Sequence, residues 1–344
     1  MVDSITMQID NEFYLSLALK EAWKYQGVTY PNPAVGCTVV GKNGDILAVE
    51  AHHKAGTPHA EVKALQQAYY KLTQDSSILE IEDSSEIHTY LLANHNGIFI
   101  DAILYATLEP CAHSGKTPSC AWLITKLGIK EVFIGSYDVN PIASCGNKIL
   151  KKNDCVVHSE LLKDQCDALL RPFNLWQKKQ FIFFKWAQRL NATIDNGNIS
   201  SKVSRTNLHA MRDVCDLLVI GGNTVREDRP TLNSRLVGGK APDVLILSRK
   251  EEFDRTIPLF HVKGRKVFIE SGFERLKQYK NIMIEGTESM FVLTRDIVDY
   301  YLCYLVPSFA GNKSIGSGKE KFKILNTRQV DQDIIMWMKR IEKR

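Results

Sequence analysis

Nowhere in its 344 residues does this chain stay apolar for anything near the ~18 residues a membrane span needs. Charge of one sign is also scarce. Lys and Arg number 44 against 39 Asp and Glu, a formal net charge of only +5. That field is too weak to argue for a nucleic acid or a membrane surface as partner. Internal repeats and low-complexity tracts are absent. Composition is 44% hydrophobic and 24% charged, which excludes a collagen-like or wholly disordered chain. The first ten residues carry acids and polar groups, not a basic-then-apolar leader. Cysteine is present but scattered, at Cys37, Cys111, Cys120, Cys145, Cys155, Cys166, Cys215 and Cys303. Without a leader no disulfide framework is expected, and a reducing cytoplasm is. There, two cysteines close to a histidine point to a metal or to catalysis. At ~150 residues per domain the length implies two domains.

The apolar pattern has the same two-part organisation. Residues 11–25 space Phe13, Leu17 and Trp23 as an amphipathic helix. Tyr30-Pro31-Asn32-Pro33 ends it. Residues 34–40 and 45–51 read as strands around a Lys42-Asn43-Gly44 turn. Pro58 opens a helix to about residue 72. Residues 73–100 are polar and acidic and read as a surface excursion. Then follow a strand at 102–108, a helix at 121–127 and a strand at 131–136. Strands alternating with helices predict α/β layers. Residues 148–179 read as a join, with a short strand at Val156-Val157 and a helix over 160–179 interrupted at Pro172. A second α/β pattern begins at Phe181. Its strands are expected at 181–187, 217–221, 243–248, 265–269, 281–285 and 300–306, with helices at 204–213 and 288–296. The domains are therefore drawn as 1–150 and 180–344, joined by 151–179.

Chemistry concentrates in His59-Ala60-Glu61 and, further on, Glu109-Pro110-Cys111 and Cys120. A His-x-Glu followed by Pro-Cys and a second Cys is the zinc nucleobase deaminase signature, although here eight residues separate the cysteines instead of two. His59, Cys111 and Cys120 make three ligands, leaving a tetrahedral zinc one open position for water. Zinc lowers the pKa of that water to roughly 7. His59 and Glu61 are expected in the first turn of one helix and Cys120 at the start of another, where unpaired amides favour a thiolate. Glu61, two residues from a ligand, is placed to move protons without binding metal. A structural zinc site is the blander alternative.

At these residues the sequence resembles the bifunctional riboflavin-biosynthesis deaminase–reductase family. The likeness rests on Tyr30-Pro31-Asn32-Pro33-Ala34-Val35-Gly36, Ala51-His52, Pro58-His59-Ala60-Glu61-Val62 and the run from Thr107 to Cys120. The loop holding His113, Lys116 and Thr117-Pro118 separates this family from deaminases with the short cysteine spacing. The stretch 73–100 is longer than the family usually carries. The resemblance implies a three-layer cytidine-deaminase-like domain acting on a pyrimidinone that bears a ribosylamino 5′-phosphate. It makes Asn32, His52, His113, Lys116 and Asn140 substrate contacts.

Residues 180–344 hold no evident metal site and no nucleophile with a base. Gly221-Gly222-Asn223-Thr224 could let backbone approach a phosphate, but the dinucleotide fingerprint is absent. Residues 311–319 are near a P-loop but misaligned, and read as a mobile loop. Phe184-Lys185-Trp186-Ala187, Leu218-Val219-Ile220-Gly221-Gly222 and Ile284-Glu285-Gly286 resemble the same family's reductase half, a dihydrofolate-reductase-like α/β fold using NADPH. The resemblance places Lys185 in the active site and Thr224, Asp228, Gly221, Gly222 and Gly286 against the cofactor. Arg212, Leu232, Arg235 and Glu285 would hold substrate, the arginines suiting a phosphate. Hydride would reach the ribose C1′, leaving a ribityl chain. This chain departs from the family at Asn191-Ala192, where Asp-Gly is usual, and in a shorter loop after it. It departs again at Asn198 for Trp, at Arg229 for Asp, and in a turn after Glu285 with fewer glycines.

The resulting expectation is a two-step enzyme with zinc, NADPH, a phosphorylated small-molecule substrate and a homo-oligomeric state. The alternatives are a monofunctional deaminase with a structural second half, and a nucleic-acid-editing deaminase.

Overall fold

The computed structural model describes residues 9–112, 117–139, 145–195, 197–316 and 319–341. The chain divides into two units, Met1–Asn174 and Leu175–Arg344.

The first unit is built on a five-stranded sheet. Its elements are α1 (Asn11–Ala22), β1 (Gly36–Val40), β2 (Ile46–Ala51), α2 (Ala60–Thr73), α3 (Ser84–Asn94), β3 (Ile103–Leu108), α4 (Cys120–Lys126), β4 (Glu131–Ser136), α5 (Gly146–Lys152) and β5 (Val156–Ser159). The strand order is β2-β1-β3-β4-β5. β1 runs antiparallel to β2 and β3, while β3, β4 and β5 are parallel. Side chains alternate across the sheet. Cys37, Val39, Leu104, Ala106, Val132 and Ile134 join α2, α3 and α4 in one buried core. The alternate Tyr105 and Phe133 stack on the other face, where Tyr14 and Asn11 of α1 meet Tyr105. Helices on both faces make the layers expected from the alternation.

Residues 73–100 correct the surface-excursion reading. They hold a 3₁₀ turn (Ser76–Glu80) and α3, and they bury Ile78, Ile87, Leu91 and Phe99 in the core. Two of the acids that suggested solvent are caps. Asp75 accepts from Ser77 N, and Asp83 accepts from Ser85 N and Glu86 N. Each satisfies amides that a helix start leaves unpaired. A second correction concerns α6 (Lys163–Lys178), which runs through Pro172 without a break. A proline φ suits a helix, and Leu169, Leu170, Phe173 and Trp176 are buried on either side of it.

The second unit holds β6 (Phe181–Arg189), α7 (Lys202–Val214), β7 (Leu217–Gly221), α8 (Gly222–Asp228), β8 (Asp243–Leu247), β9 (Val267–Glu270), β10 (Asn281–Glu285), α9 (Glu288–Thr294), β11 (Tyr300–Val306), β12 (Phe322–Val330) and β13 (Asp333–Arg340). They form a sheet of order β12-β13-β11-β6-β10-β7-β8-β9. The run from β11 to β9 is parallel, and β13 and β12 close one side antiparallel. The sequence reading did not anticipate β12 and β13. Their alternation is weak, and several of their apolar residues, Ile324 and Ile334 among them, are exposed. The Gly221-Gly222 turn leads directly into α8. Register sets Lys185 of β6 opposite Glu285 of β10, and Glu285 opposite Ile220 of β7. Three parallel strands thus deliver Lys185, Glu285 and Gly221 near one sheet edge, the usual place for ligands in such sheets.

Candidate active sites

In the first unit, His59 is the extended N-cap of α2 and not part of its first turn as expected. Cys111 follows β3, and Cys120 opens α4. His59 Nδ1 lies 3.7 Å from Cys111 Sγ and 3.4 Å from Cys120 Sγ. All three donor atoms lie within 4.8 Å of one another, and among the described residues no other His, Cys, Asp or Glu group is so disposed. One imidazole and two thiols suit zinc, with one tetrahedral position left over. The Cys120 thiol, then His59 and the Cys120 amide, outweigh burial and hold the Cys111 thiol down at about 4. Glu61 is buried in the first turn of α2, and burial is the chief cause that pushes its carboxyl up to about 7.

Hydrogen bonds tie the two cysteine-bearing segments together. Ser119 Oγ donates to the Cys111 carbonyl at 2.7 Å and accepts from Trp122 N at 3.3 Å. Ala121 N and Cys120 N reach the Cys111 carbonyl and Sγ. Glu109, buried, accepts from Asn147 N at 2.8 Å and Asp138 N at 3.3 Å. Gly146 must lack a side chain, because a Cβ there would collide with the Pro110 carbonyl. Glu109 and Ser119 have no role among the sequence expectations. A Ser just before a helix was the available cap signal.

Asn32 and His52 meet beside this centre. Asn32 Nδ2 lies 3.1 Å from His52 Nε2, and His52 Nδ1 lies 3.1 Å from the Pro58 carbonyl. Burial pushes His52 down to about 4, so the ring is neutral at pH 7. The arrangement that satisfies both bonds puts the proton on Nδ1, donating to Pro58, while Nε2 accepts from Asn32. The Asn32 carbonyl oxygen is then free of this pair. His113, Lys116 and Asn140 lie outside the described residues.

In the second unit Glu285 collects charge. Its Oε1 accepts from Arg212 Nε at 3.0 Å and Nη2 at 2.6 Å, while Lys185 Nζ lies 3.8 Å from Oε2. Burial alone would raise Glu285, but Arg212 and Lys185 outweigh it and hold the carboxyl below its usual range. Burial lowers Lys185, which also lies 5.5 Å from the Tyr304 ring centroid. Burial, then Arg212 and Arg235, push His209 down to about 4. Leu232 is buried with φ +54°, and exposed Arg235 donates to Asn233 Oδ1 at 2.9 Å. No sequence signal marked Tyr304, which register alone brings here.

Thr224 and Asp228 stand four residues apart on α8, on one side of it. The glycines have a packing reason. A Cβ on Gly222 would lie 2.7 Å from Ser248, and one on Gly286 would lie 2.5 Å from Met290. Neither α8 nor α9 has a side-chain cap at its N-cap, Gly221 and Thr287 respectively. A hydroxyl and unfilled amides at the edge of a parallel sheet are a donor set that fits a phosphate-bearing cofactor.

Comparisons with known proteins give the family. The family described as the cytidine and deoxycytidylate deaminase zinc-binding region matches residues 8–136. The RibD C-terminal domain matches residues 189–336. The riboflavin biosynthesis protein RibD of Aquifex aeolicus is 30% identical over 95% of this chain and 98% of its own length. This chain belongs to the RibD family. The RibD of Actinobacillus pleuropneumoniae is 28% identical, over 94% of this chain and 93% of its own. A diaminohydroxyphosphoribosylaminopyrimidine deaminase/5-amino-6-(5-phosphoribosylamino)uracil reductase from Thermotoga maritima superposes with a TM-score of 0.64 at 26% identity, covering 96% of this chain and 98% of that one. The chain is therefore a riboflavin-biosynthesis deaminase and reductase with a zinc-binding deaminase domain. Its units have the cytidine-deaminase-like and dihydrofolate-reductase-like folds of RibD. Among the described residues no helix is long and apolar enough to cross a membrane.

Proposed function

We propose that the first unit deaminates a diamino-pyrimidinone bearing a ribosylamino 5′-phosphate, and that the second reduces the ribosyl group of the product to ribityl with NADPH. The observation that carries this reading is the convergence of His59, Cys111 and Cys120 beside buried Glu61. His59, Cys111 and Cys120 would hold zinc, which would supply Lewis acidity to activate a water. Glu61 would accept the water's proton and pass it to a ring nitrogen, then take the proton of the hydroxyl newly added to the ring carbon and give it to the amine, which leaves as ammonia as the carbonyl forms. Asn32, fixed by His52, presents its carbonyl to the pyrimidine edge. His113, Lys116 and Asn140 complete the substrate contacts by resemblance.

In the second unit Thr224, Asp228, Gly221, Gly222 and Gly286 hold NADPH, which supplies the hydride. Lys185 Nζ, oriented by Glu285, gives the proton that balances hydride addition at C1′, to the oxygen released there. Arg212, Leu232, Arg235 and Glu285 hold the substrate, the exposed Arg235 guanidinium meeting its phosphate while Arg212 is spent on Glu285 and the Asn233 carbonyl. The reductase domain occupies 180–344, the deaminase domain 1–150, and 151–179 connect them. A homo-oligomer in the cytoplasm fits the family and the eight free cysteines.

The test is a pair of assays on the full chain. Ammonia should be released from the diaminopyrimidine substrate. NADPH should be oxidised when the deaminated ribosylaminouracil phosphate is supplied. Ammonia without NADPH oxidation would leave a deaminase with a silent second unit. No ammonia from zinc-loaded protein would overturn the first assignment.

A further inference from the structure

Arg265 belongs to none of the roles assigned above, yet its hydrogen bonds lead into the reductase site. It lies just before β9, and its Nη2 donates to the carbonyls of Thr231 at 2.9 Å and Leu232 at 2.8 Å. The next carbonyl, Asn233 O, accepts from Arg212 Nη1 at 3.5 Å. Three consecutive carbonyls are thus taken by two guanidiniums. One of these, Arg212, also binds Glu285. The strand of chain they hold is unusual. Leu232 has φ +54°, a region that residues with a side chain rarely adopt without an external constraint. Leu232 is nonetheless buried, and Asn233 in turn receives Arg235.

Arg265 is committed to this contact. Its Nε and Nη1 are buried with no hydrogen-bond partner. Burial, then the charge of Arg212, push the guanidinium down to about 10, so it keeps its proton at neutral pH. A buried cation beside another cation, with donors unspent, is unfavourable on its own account. The two carbonyls of residues 231 and 232 offset part of that cost, both accepting from the one Nη2, whose two hydrogens are fixed in the guanidinium plane.

We infer that Arg265 is a positioning residue for the reductase substrate: by clamping the Thr231 and Leu232 carbonyls it holds the left-handed turn that aims Leu232 and Arg235 at the phosphorylated sugar. This rests on the reading of Leu232 and Arg235 as substrate contacts. On this reading Arg265 acts through the turn and not by touching the substrate. Its loss therefore shows in substrate affinity, not in the chemical step.

The experiment uses the full chain carrying Arg265→Gln or Arg265→Lys, with Arg235→Ala as a control on the site reading. KM and kcat are measured with the deaminated ribosylaminouracil phosphate, NADPH affinity by fluorescence, and ammonia release as the control on the other unit. Arg265→Gln should raise KM about tenfold, or about 1.4 kcal/mol. NADPH affinity, kcat and ammonia release should stay within about twofold, and Arg265→Lys should fall between Arg265→Gln and the parent. An unchanged KM in a variant that still binds NADPH overturns the clamp. If Arg235→Ala then raises KM, the site reading survives. If it also leaves KM unchanged, both fall. Loss of NADPH binding in both Arg265 variants overturns the proposal too, since the residue is then needed only for folding.

Discussion

Lys185 and Glu285 stand in register on adjacent parallel strands, with Nζ 3.8 Å from Oε2 and both side chains largely buried. Arg212 closes the group from α7 through two bonds to Oε1. Glu285 is held below the usual carboxylate range, so its contribution to stability is complete above about pH 4.3, the ordinary Glu value, and is lost as pH falls through the lower folded value. Urea unfolding of the reductase unit should therefore weaken in acid. Glu285→Gln should flatten that dependence and cost on the order of 3–5 kcal/mol at neutral pH, because two buried cations lose their anion. An unchanged pH profile in the variant would count against the pairing.

Lys185→Met should leave ammonia release at the parental rate and lower NADPH oxidation by on the order of a hundredfold or more. The two activities are read in the same preparation. If both fall together while the protein stays folded, the assignment of one reaction to each unit is wrong.

Glu61→Gln should bind zinc at the parental stoichiometry, since His59, Cys111 and Cys120 are intact. Deamination should drop by about two to four orders of magnitude. Metal analysis alongside the ammonia assay separates the two effects. Substantial remaining deamination would remove Glu61 from proton transfer.

Ser119→Ala removes a helix cap and the bond to the Cys111 carbonyl in one step. The cap alone is worth about 1 kcal/mol, and losing a group that orients a ligand lowers metal affinity by roughly 10–100-fold. Competition with a chelator should show that loss. Parental zinc affinity would mean that the bond does not position Cys111.

Ala192 has φ +60°, at the place where the family usually carries Gly. The surrounding loop is tied down. Ile315 N donates to the Ala192 carbonyl, Asn191 Nδ2 donates to Ala310 O, and Asp195 accepts from Asn312 N and Lys313 N. Ala192→Gly should relieve the left-handed strain and raise stability by about 0.5–1 kcal/mol. A lower denaturation midpoint would show that chain entropy outweighs strain here.

The zinc centre was legible because its residues fall in short motifs whose flanking elements are themselves readable. His59 precedes an amphipathic helix, Cys111 follows an apolar strand, and Cys120 follows a capping serine. The acids of residues 73–100 read as solvent-facing charge in the sequence. Two of them, Asp75 and Asp83, cap helical turns whose apolar residues are buried. In the reductase unit most strands were legible as apolar runs. β12 and β13 were not, since both carry exposed apolar and charged residues that blur their alternation.

By itself the sequence determined the two α/β halves, the His59–Glu61–Cys111–Cys120 centre and the family. Each is legible in side-chain period or in short motifs, although the fold alone brings His59 and Cys111, 52 residues apart, together. Only the tertiary structure decided what lies between distant residues. It set Glu285 against both Lys185 and Arg212, fixed the His52 tautomer through Pro58 and Asn32, and brought Arg265 onto the Leu232 turn. Strand register and helix packing make those contacts, and they join residues whose separation along the chain carries no periodic signal.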